Sequence, residues 1–226
     1  MAAPTMGALS PWHAVREEIV TVLSTVSGAQ MSNAAALFTD RRRRWFCSGQ
    51  GRSGLVAQMV AMRLMHVGFD AHAVGEATAP AIGSGDGLVM ISGSGETPVT
   101  LHITRLARDY GAHVLAVTTR ADSTLARRAH AVIQVPTTVT GQFGGTLFEQ
   151  SALLLLDAVM LEITAGGSAC LRRDAGAPHQ PAVSAPSGAG GASEADGFAQ
   201  QQQDHAVQPT RVTALALCAR AGQRQG

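Results

Sequence analysis

Three short segments hold the residue types best suited to chemistry. Residues 48–54 read SGQGRSG, residues 92–97 read SGSGET, and residues 144–149 read GGTLFE. In the first segment Gly51 lets backbone approach a ligand, while Arg52 and Ser53 add a cation and a hydroxyl. In the second, Ser92, Ser94 and Thr97 offer hydroxyls around Glu96, and Gly93 and Gly95 let successive N–H groups point inward. The first two segments each follow an apolar run and open a helix-like one, so each combines a possible amide nest with a helix N-terminus, which suits a compact phosphate-like anion. Other readings fit the same residues. Gly49, Gly51 and Gly54 match the G-x-G-x-x-G dinucleotide fingerprint, with Glu76 tolerably placed as its acidic partner and Asp70 falling too early. A tight strand-to-helix turn without a ligand also fits. The second segment reads as a capped helix start as well, although a cap needs one hydroxyl and three are present.

Glu149 sits near the start of an otherwise apolar helix. Partial burial there would raise its pKa toward working pH, as a general base requires. The spacing Thr146-x-x-Glu149 equally describes a capping box, in which the carboxylate folds back on the helix start. Spacing does not decide between the two. His66 falls at the end of a helical pattern, where an imidazole commonly serves the helix C-terminus.

Composition narrows the chemistry. The 226 residues carry a net charge of +1, and all 17 basic residues are arginine. A Schiff-base lysine and the lysine of a Walker phosphate loop are therefore excluded. The near-neutral balance argues against nucleic acid as a partner. Cys47, Cys170 and Cys218 are scattered without a CxxC pair, and the eight histidines form no ligand spacing, so no disulfide frame and no metal are expected. The start lacks the charged and apolar regions of a secretory signal, and the apolar run near residues 152–156 is too short to span a membrane. A cytoplasmic location is the default expectation.

These segments need a frame. Residues 12–38 show apolar spacing of one or two helices. Strand-like runs then alternate with helical ones: strands at 45–48, 71–74, 87–91, 113–118 and 131–135, and helices at 54–67, 96–110, 123–129 and 145–164. The strands are continuously apolar, as in parallel sheets covered on both faces. The expected fold is α/β, a three-layer αβα sandwich around a five-stranded parallel sheet, with ligand loops along its carboxyl edge. The arginine run at 41–44 reads as a solvated loop before the first strand. The expected organisation is an N-terminal helical segment at 1–40 packing on a domain at 41–164. A low-complexity, Ala-, Gly-, Gln- and Ser-rich tail follows at 165–226, expected to be disordered.

The chain resembles the 6-phospho-3-hexuloisomerase family, a branch of the SIS sugar-isomerase domains. The likeness runs through residues 49–69 (GQGRSGLVAQMVAMRLMHVGF), 74–82 (VGEATAPAI), 91–97 (ISGSGET), 117–126 (VTTRADSTLA) and 145–159 (GTLFEQSALLLLDAV). It spans roughly residues 16–164. The resemblance implies a SIS fold of flavodoxin-like or Rossmann-like type. It also implies a sugar-phosphate isomerase without a cofactor, acting on D-arabino-hex-3-ulose 6-phosphate in the ribulose monophosphate pathway of formaldehyde fixation. A homotetramer with sites between subunits is implied too. Ser53, Ser92, Ser94 and Thr97 would hold the phosphate, Glu149 would be the base, and His66 would be a candidate acid/base reaching a neighbour's site. Three departures stand out: Gln50 in the first loop, Arg120 where asparagine is usual, and GGSACLRRDAG in place of a C-terminal segment resembling RHANLE.

Overall fold

The computed structural model describes residues 10–137 and 139–165. Apart from Ala165, the expected tail lies outside the described residues. The elements follow in chain order: α1 (Pro11–Thr25), α2 (Gly28–Ala36), β1 (Trp45–Gly49), α3 (Arg52–His66), β2 (Ala71–Ala73) and β3 (Gly87–Ile91). Then come α4 (Pro98–Asp109), β4 (His113–Thr118), α5 (Thr124–Arg128), β5 (Ala131–Gln134) and α6 (Thr146–Ala165). All strand pairings are parallel, in the order β2-β1-β3-β4-β5.

Side chains alternate between the two faces of the sheet, as the pleat requires. Trp45, Cys47, Val89, Ile91, Leu115, Val117 and Ile133 join α1, α2, α3 and α6 in one core. Phe46, Leu88, Met90, Val114 and Ala116 face the other way, toward α4 and α5. Both faces are thus covered, and β3 is buried at every position. That explains why GLVMI reads as an unbroken apolar run rather than an alternating one. Gly87 pairs with Trp45 across the strands, and a Cβ there would lie 2.4 Å from the indole ring. Trp45 fills that space and stacks on Phe38 with ring centroids 4.0 Å apart.

Helix boundaries matter for the loops. α3 begins at Arg52 rather than at 54, so Arg52 and Ser53 lie in its first turn. α4 begins at Pro98 rather than at 96, so Glu96 stays in the loop and Thr97 takes the N-cap position.

The arginine run departs from expectation. Arg41 donates to the Val67 carbonyl at 2.5 Å and lies over the Phe69 ring, 4.1 Å from its centroid. Arg43 donates to the carbonyls of Leu37 (2.6 Å) and Gly85 (2.9 Å). Arg44 grips Asp86 through two nitrogens, at 3.1 and 2.7 Å. Asp86 is buried and also accepts the Gly83 amide at 2.8 Å. Three of the four arginines therefore tie together the loops at the amino edge of the sheet, where open carbonyls and one buried carboxylate need donors. They are not a wet charge run, and they lie at the opposite edge from the ligand loops.

No helix among the described residues is long and apolar enough to cross a membrane.

At the amino edge, His113 and His130 meet edge to face with centroids 4.9 Å apart, and His130 Nδ1 accepts the Val114 amide at 2.9 Å. Burial depresses both imidazole pKa values, with Arg108 and Arg43 adding to the effect. The fold therefore resists protons that the unfolded chain takes up near pH ~6.5. Stability from this pair is complete above that pH and is lost as pH falls through the depressed folded values. Denaturant melts are expected to show a falling midpoint from about pH 6.5 downward. His130→Asn, whose amide oxygen can still accept the Val114 amide, is expected to flatten that decline.

Candidate active site

The strand order reverses direction between β1 and β3. β1 leads outward to β2 on one side, and β3 leads to β4 on the other. Loops leaving such a switch point diverge and open a crevice at the carboxyl edge of the sheet. Gly49, the last residue of β1, is the register partner of Ile91, the last residue of β3. The two glycine-rich loops thus start on adjacent strands, about 4.8 Å apart.

The second loop is tightly pinned. The Gly93 carbonyl accepts the hydroxyls of Thr118 (3.0 Å) and Thr119 (2.8 Å) and the Thr119 amide (3.0 Å). Gly95 has φ +65°, and a Cβ there would lie 2.3 Å from Ser123 Oγ. Neither the backbone nor the space admits a side chain. Ser92 is buried, with its Oγ 3.5 Å from Thr97 Oγ1, and Ser94 Oγ accepts the Glu96 amide at 3.2 Å. Thr97 makes no side-chain cap on α4, and Gly51 has none to make on α3. The Gly54 amide donates to the Gly51 carbonyl and Pro98 has no amide hydrogen, so the Arg52, Ser53, Val99 and Thr100 amides are the first-turn donors left for an anion. The capped-start reading of the second loop is not what the side chains do.

Glu96 turns away from the loop. Its carboxylate accepts the Thr124 amide at 2.7 Å, and this contact holds its pKa below the usual carboxylate value. It fastens the second loop to α5.

The capping box is not formed either. The Glu149 amide donates to the Gly145 carbonyl, and the Thr146 hydroxyl donates to the Phe143 carbonyl at 2.7 Å. The Glu149 carboxylate instead meets Arg52, with Nε to Oε1 at 3.2 Å. Arg52 also donates to the Gly144 carbonyl and lies 3.4 Å from Thr146 Oγ1. A residue of the first loop thus holds the start of α6. Glu149 is largely buried, with 16% of its side chain exposed.

A cavity of about 300 Å³ lies where these pieces meet. Ser53, Gly93 and Glu149 line it, one from each of the three segments singled out in the sequence. Leu147 and Phe148 add apolar wall, and Thr119, Thr137 and Thr140 also line it, with the Thr119 and Thr140 hydroxyl protons given to the Gly93 carbonyl and the Glu18 carboxylate. The arrangement offers hydroxyl and amide donors for an anion, with a carboxylate set among apolar surface. That suits an anionic polyol whose carbon-bound proton is to be moved.

Other expected residues fall elsewhere. His66 is exposed at the far end of α3, roughly 20 Å along the helix from Arg52 by helical rise. It does not meet Glu149 within one chain. Glu76 reaches back toward the Ala73 amide at 3.4 Å, and the strand order is not that of a dinucleotide fold, so the glycine match stands without its acidic partner and without the fold that goes with it. The lining threonines Thr119, Thr137 and Thr140 were not singled out in the sequence. Thr119 follows a strand and could have been found by that position. Thr137 and Thr140 lie in a loop without periodicity. Among the described residues, no group of three His, Cys, Asp or Glu side chains could hold a metal. Cys47 is fully buried, which pushes its thiol pKa far up.

The SIS domain family model matches residues 37–160. The chain is 39% identical over 153 residues to the 3-hexulose-6-phosphate isomerase of Mycobacterium gastri, covering 64% of this chain and 76% of that protein. It is 40% identical over 127 residues to the 3-hexulose-6-phosphate isomerase of Bacillus subtilis, covering 52% of this chain and 69% of that one. A solved structure from Methanococcus jannaschii is similar, with TM-score 0.62, 29% identity, and 69% of this chain and 89% of that chain covered. A molecular function of 3-hexulose-6-phosphate isomerase was inferred for that protein.

The pinning of the second loop is open to direct test. Gly95→Ala is expected to cost about 1–3 kcal/mol in denaturant melts, through strain at positive φ and the clash with Ser123. The same variant is expected to lose calorimetric binding of a sugar phosphate. Wild-type stability and affinity in Gly95→Ala would mean that the loop has slack.

Proposed function

The chain belongs to the SIS domain family, and we propose that within it the protein interconverts D-arabino-hex-3-ulose 6-phosphate and fructose 6-phosphate. The observation that carries this reading is the cavity lined jointly by Ser53, Gly93 and Glu149. Identities of 39% and 40% to proteins named for this isomerase support the choice of substrate. The reaction serves formaldehyde fixation in the ribulose monophosphate pathway.

In this reading the open amides of α3 and α4, with Ser53, Ser92, Ser94 and Thr97, hold the phosphate. Anchoring that end fixes the carbon chain against Glu149, which is where orientation contributes most. The substrate has a ketone at C3 and a hydroxyl at C2. The Glu149 carboxylate removes the C2 proton. The electron pair forms a C2–C3 double bond, and O3 takes a proton, giving a cis-enediol. A proton then returns to C3, and O2 releases its own as the C2 ketone forms. The atoms and electrons balance without an oxidant or a metal. Hydroxyl donors in the cavity stabilise the oxyanion as it develops.

Arg52 has two successive partners in this scheme. Its guanidinium faces Glu149. A bound phosphoester offers it a second anion, and movement toward that anion frees the carboxylate for the C2 proton. His66 contributes only from another subunit. A homotetramer with sites between subunits is part of the proposal. Exposed Leu55, Met62 and Met65 on α3 and Leu154 and Leu161 on α6 support such contacts.

The test is a coupled assay. Hexulose-6-phosphate synthase with ribulose 5-phosphate and formaldehyde supplies the substrate, and fructose 6-phosphate is read out. Wild-type protein is expected to form it. Glu149→Gln is expected to lower kcat by roughly 10²–10⁴-fold with fructose 6-phosphate affinity nearly intact. Near-normal kcat in that variant would make Glu149 a structural residue only. Binding without turnover in the wild type would leave a sugar-phosphate-binding protein that is not an enzyme.

A further inference from the structure

One wall of the cavity comes from the loop between β5 and α6, and that loop has an unusual anchor. Its described residues contribute Thr137, Thr140 and Gly145 to the lining. Both ends are fixed locally. The Val135 amide donates to the Thr118 carbonyl at one end, and Arg52 takes the Gly144 carbonyl at the other. Between them lies the stretch from Thr140 to Gln142. Its only described partner outside the loop is Glu18, on α1.

Glu18 receives three hydrogen bonds there. Thr140 Oγ1 donates to Oε2 at 2.6 Å, the Gly141 amide donates to Oε1 at 2.7 Å, and Gln142 Nε2 donates to Oε2 at 2.9 Å. Within the loop, Thr140 Oγ1 also accepts the Gln142 amide at 3.0 Å. Both carboxylate oxygens are thus committed to one short stretch of chain more than a hundred residues away. These contacts hold the Glu18 pKa below the usual carboxylate value, with Thr140 contributing most. Arg16 and Glu17, one turn away or less, pair with each other instead at 2.6 Å.

Thr140 joins two roles. Its side chain lines the cavity, and its hydroxyl proton is spent on Glu18. A Thr140 hydroxyl held this way has a fixed direction. Its rotation is set by a charged acceptor outside the site, not by whatever occupies the cavity. The loop then feeds directly into Thr146 and the first turn of α6, which carries Glu149. Hydrogen bonds to an ionised acceptor are stronger than neutral ones. A few of them suffice to fix a loop that has little buried apolar surface of its own: Val139 and Phe143 are 88% and 82% exposed.

We propose that Glu18 is a positioning residue for the site: it touches no substrate, but through Thr140 and Gly141 it fixes the cavity wall that faces the sugar. The inference rests on the isomerase reading given above. It assigns α1, outside the stretch matched by the SIS domain model, a part in forming the site.

The test compares wild type, Glu18→Ala, Glu18→Gln and the control Glu17→Gln. Hydrogen exchange is followed at the Gly141 and Gln142 amides, with thermal midpoints, fructose 6-phosphate affinity by calorimetry, and kcat and KM in the coupled assay. Glu18→Ala is expected to speed exchange at both amides and to raise KM and the fructose 6-phosphate Kd by roughly tenfold, about 1.4 kcal/mol. Its kcat is expected to change far less, and its thermal midpoint to stay near wild type. Glu18→Gln, whose amide oxygen still accepts hydrogen bonds, is expected to fall between Glu18→Ala and wild type. Glu17→Gln is expected to match wild type throughout.

Faster exchange with unchanged KM and Kd would overturn the inference, since the anchor would then be irrelevant to the site. Unchanged exchange would overturn it too. So would a general loss of stability that accounts for the kinetic change, or an equal effect in Glu17→Gln. If the wild type binds fructose 6-phosphate without turnover, the isomerase reading fails and the Kd comparison alone judges Glu18. If the wild type does neither, both readings fall.

Discussion

The register of β1 against β3 is the constraint on which the rest of the site depends. Gly49 and Ile91 end their strands side by side, and the chain reverses its direction of travel across the sheet between them. Two loops that begin this close and then part must leave a gap at the carboxyl edge. A one-residue slip would do more than move the loops. It would turn Cys47, Val89 and Ile91 out of one core and into the other, because side chains alternate faces. Burial on both faces therefore locks the register, and the register sets the spacing of the loops. The hydrophobic cores thus act at a distance on where Ser53 and Gly93 stand.

Glu149 depends on a different set of forces. α6 is apolar on most of its surface and buries Leu147, Phe148, Ala152, Leu155 and Leu156. It packs against α1, α2 and α3. Its first turn carries the carboxylate toward the crevice as a consequence of that burial. The carboxylate then faces Arg52 in the first turn of α3. A pair only 16% exposed on the acid side and 49% exposed on the basic side is asymmetric. The guanidinium can move into solvent or toward another anion at little cost, while the carboxylate, held by its helix, cannot follow. That asymmetry suits a base that stays in place and a cation that changes partners.

Much of this was legible in the sequence because it rests on local signals. The five strands and the helices between them follow from apolar period and turn residues, and each was found within a few residues of its observed bounds. The two glycine-rich loops are legible because glycine and hydroxyl residues cluster just after strands. What escaped was non-local pairing. The arginine run reads as a wet loop because, Leu37 apart, its acceptors Val67, Gly85 and Asp86 are 26 to 42 residues away. The tie between capping box and base at Glu149 was undecidable from Thr146-x-x-Glu149 alone. It turns on Arg52, nearly a hundred residues earlier. Glu96 looked like part of an anion loop, and nothing near it announces the Thr124 amide 28 residues on. In each case the residue types are visible in the sequence while their partners are set by the fold.

The same logic explains why a sheet edge alone does not make a site. Backbone amides at helix starts bind anions without much selectivity, since any phosphate meets their geometry. Selectivity for one sugar has to come from walls farther from the phosphate. In the proposed reading those walls are the loop ahead of α6 and Thr119 after β4, which line the cavity and of which neither has a glycine-rich signature. A loop with no apolar core of its own can be a precise wall only if polar contacts hold it, and an ionised acceptor does this more effectively than a neutral one. A helix placed before the sheet in the chain is a convenient source of such an acceptor. It is already docked by its apolar face, through Val22 and Ile19 and Leu23 beside it, so its polar face can support a neighbour without further ordering cost. In the proposed reading, anion capture and sugar recognition are built from separable parts of the chain, the first from strand register and the second from long-range polar anchoring.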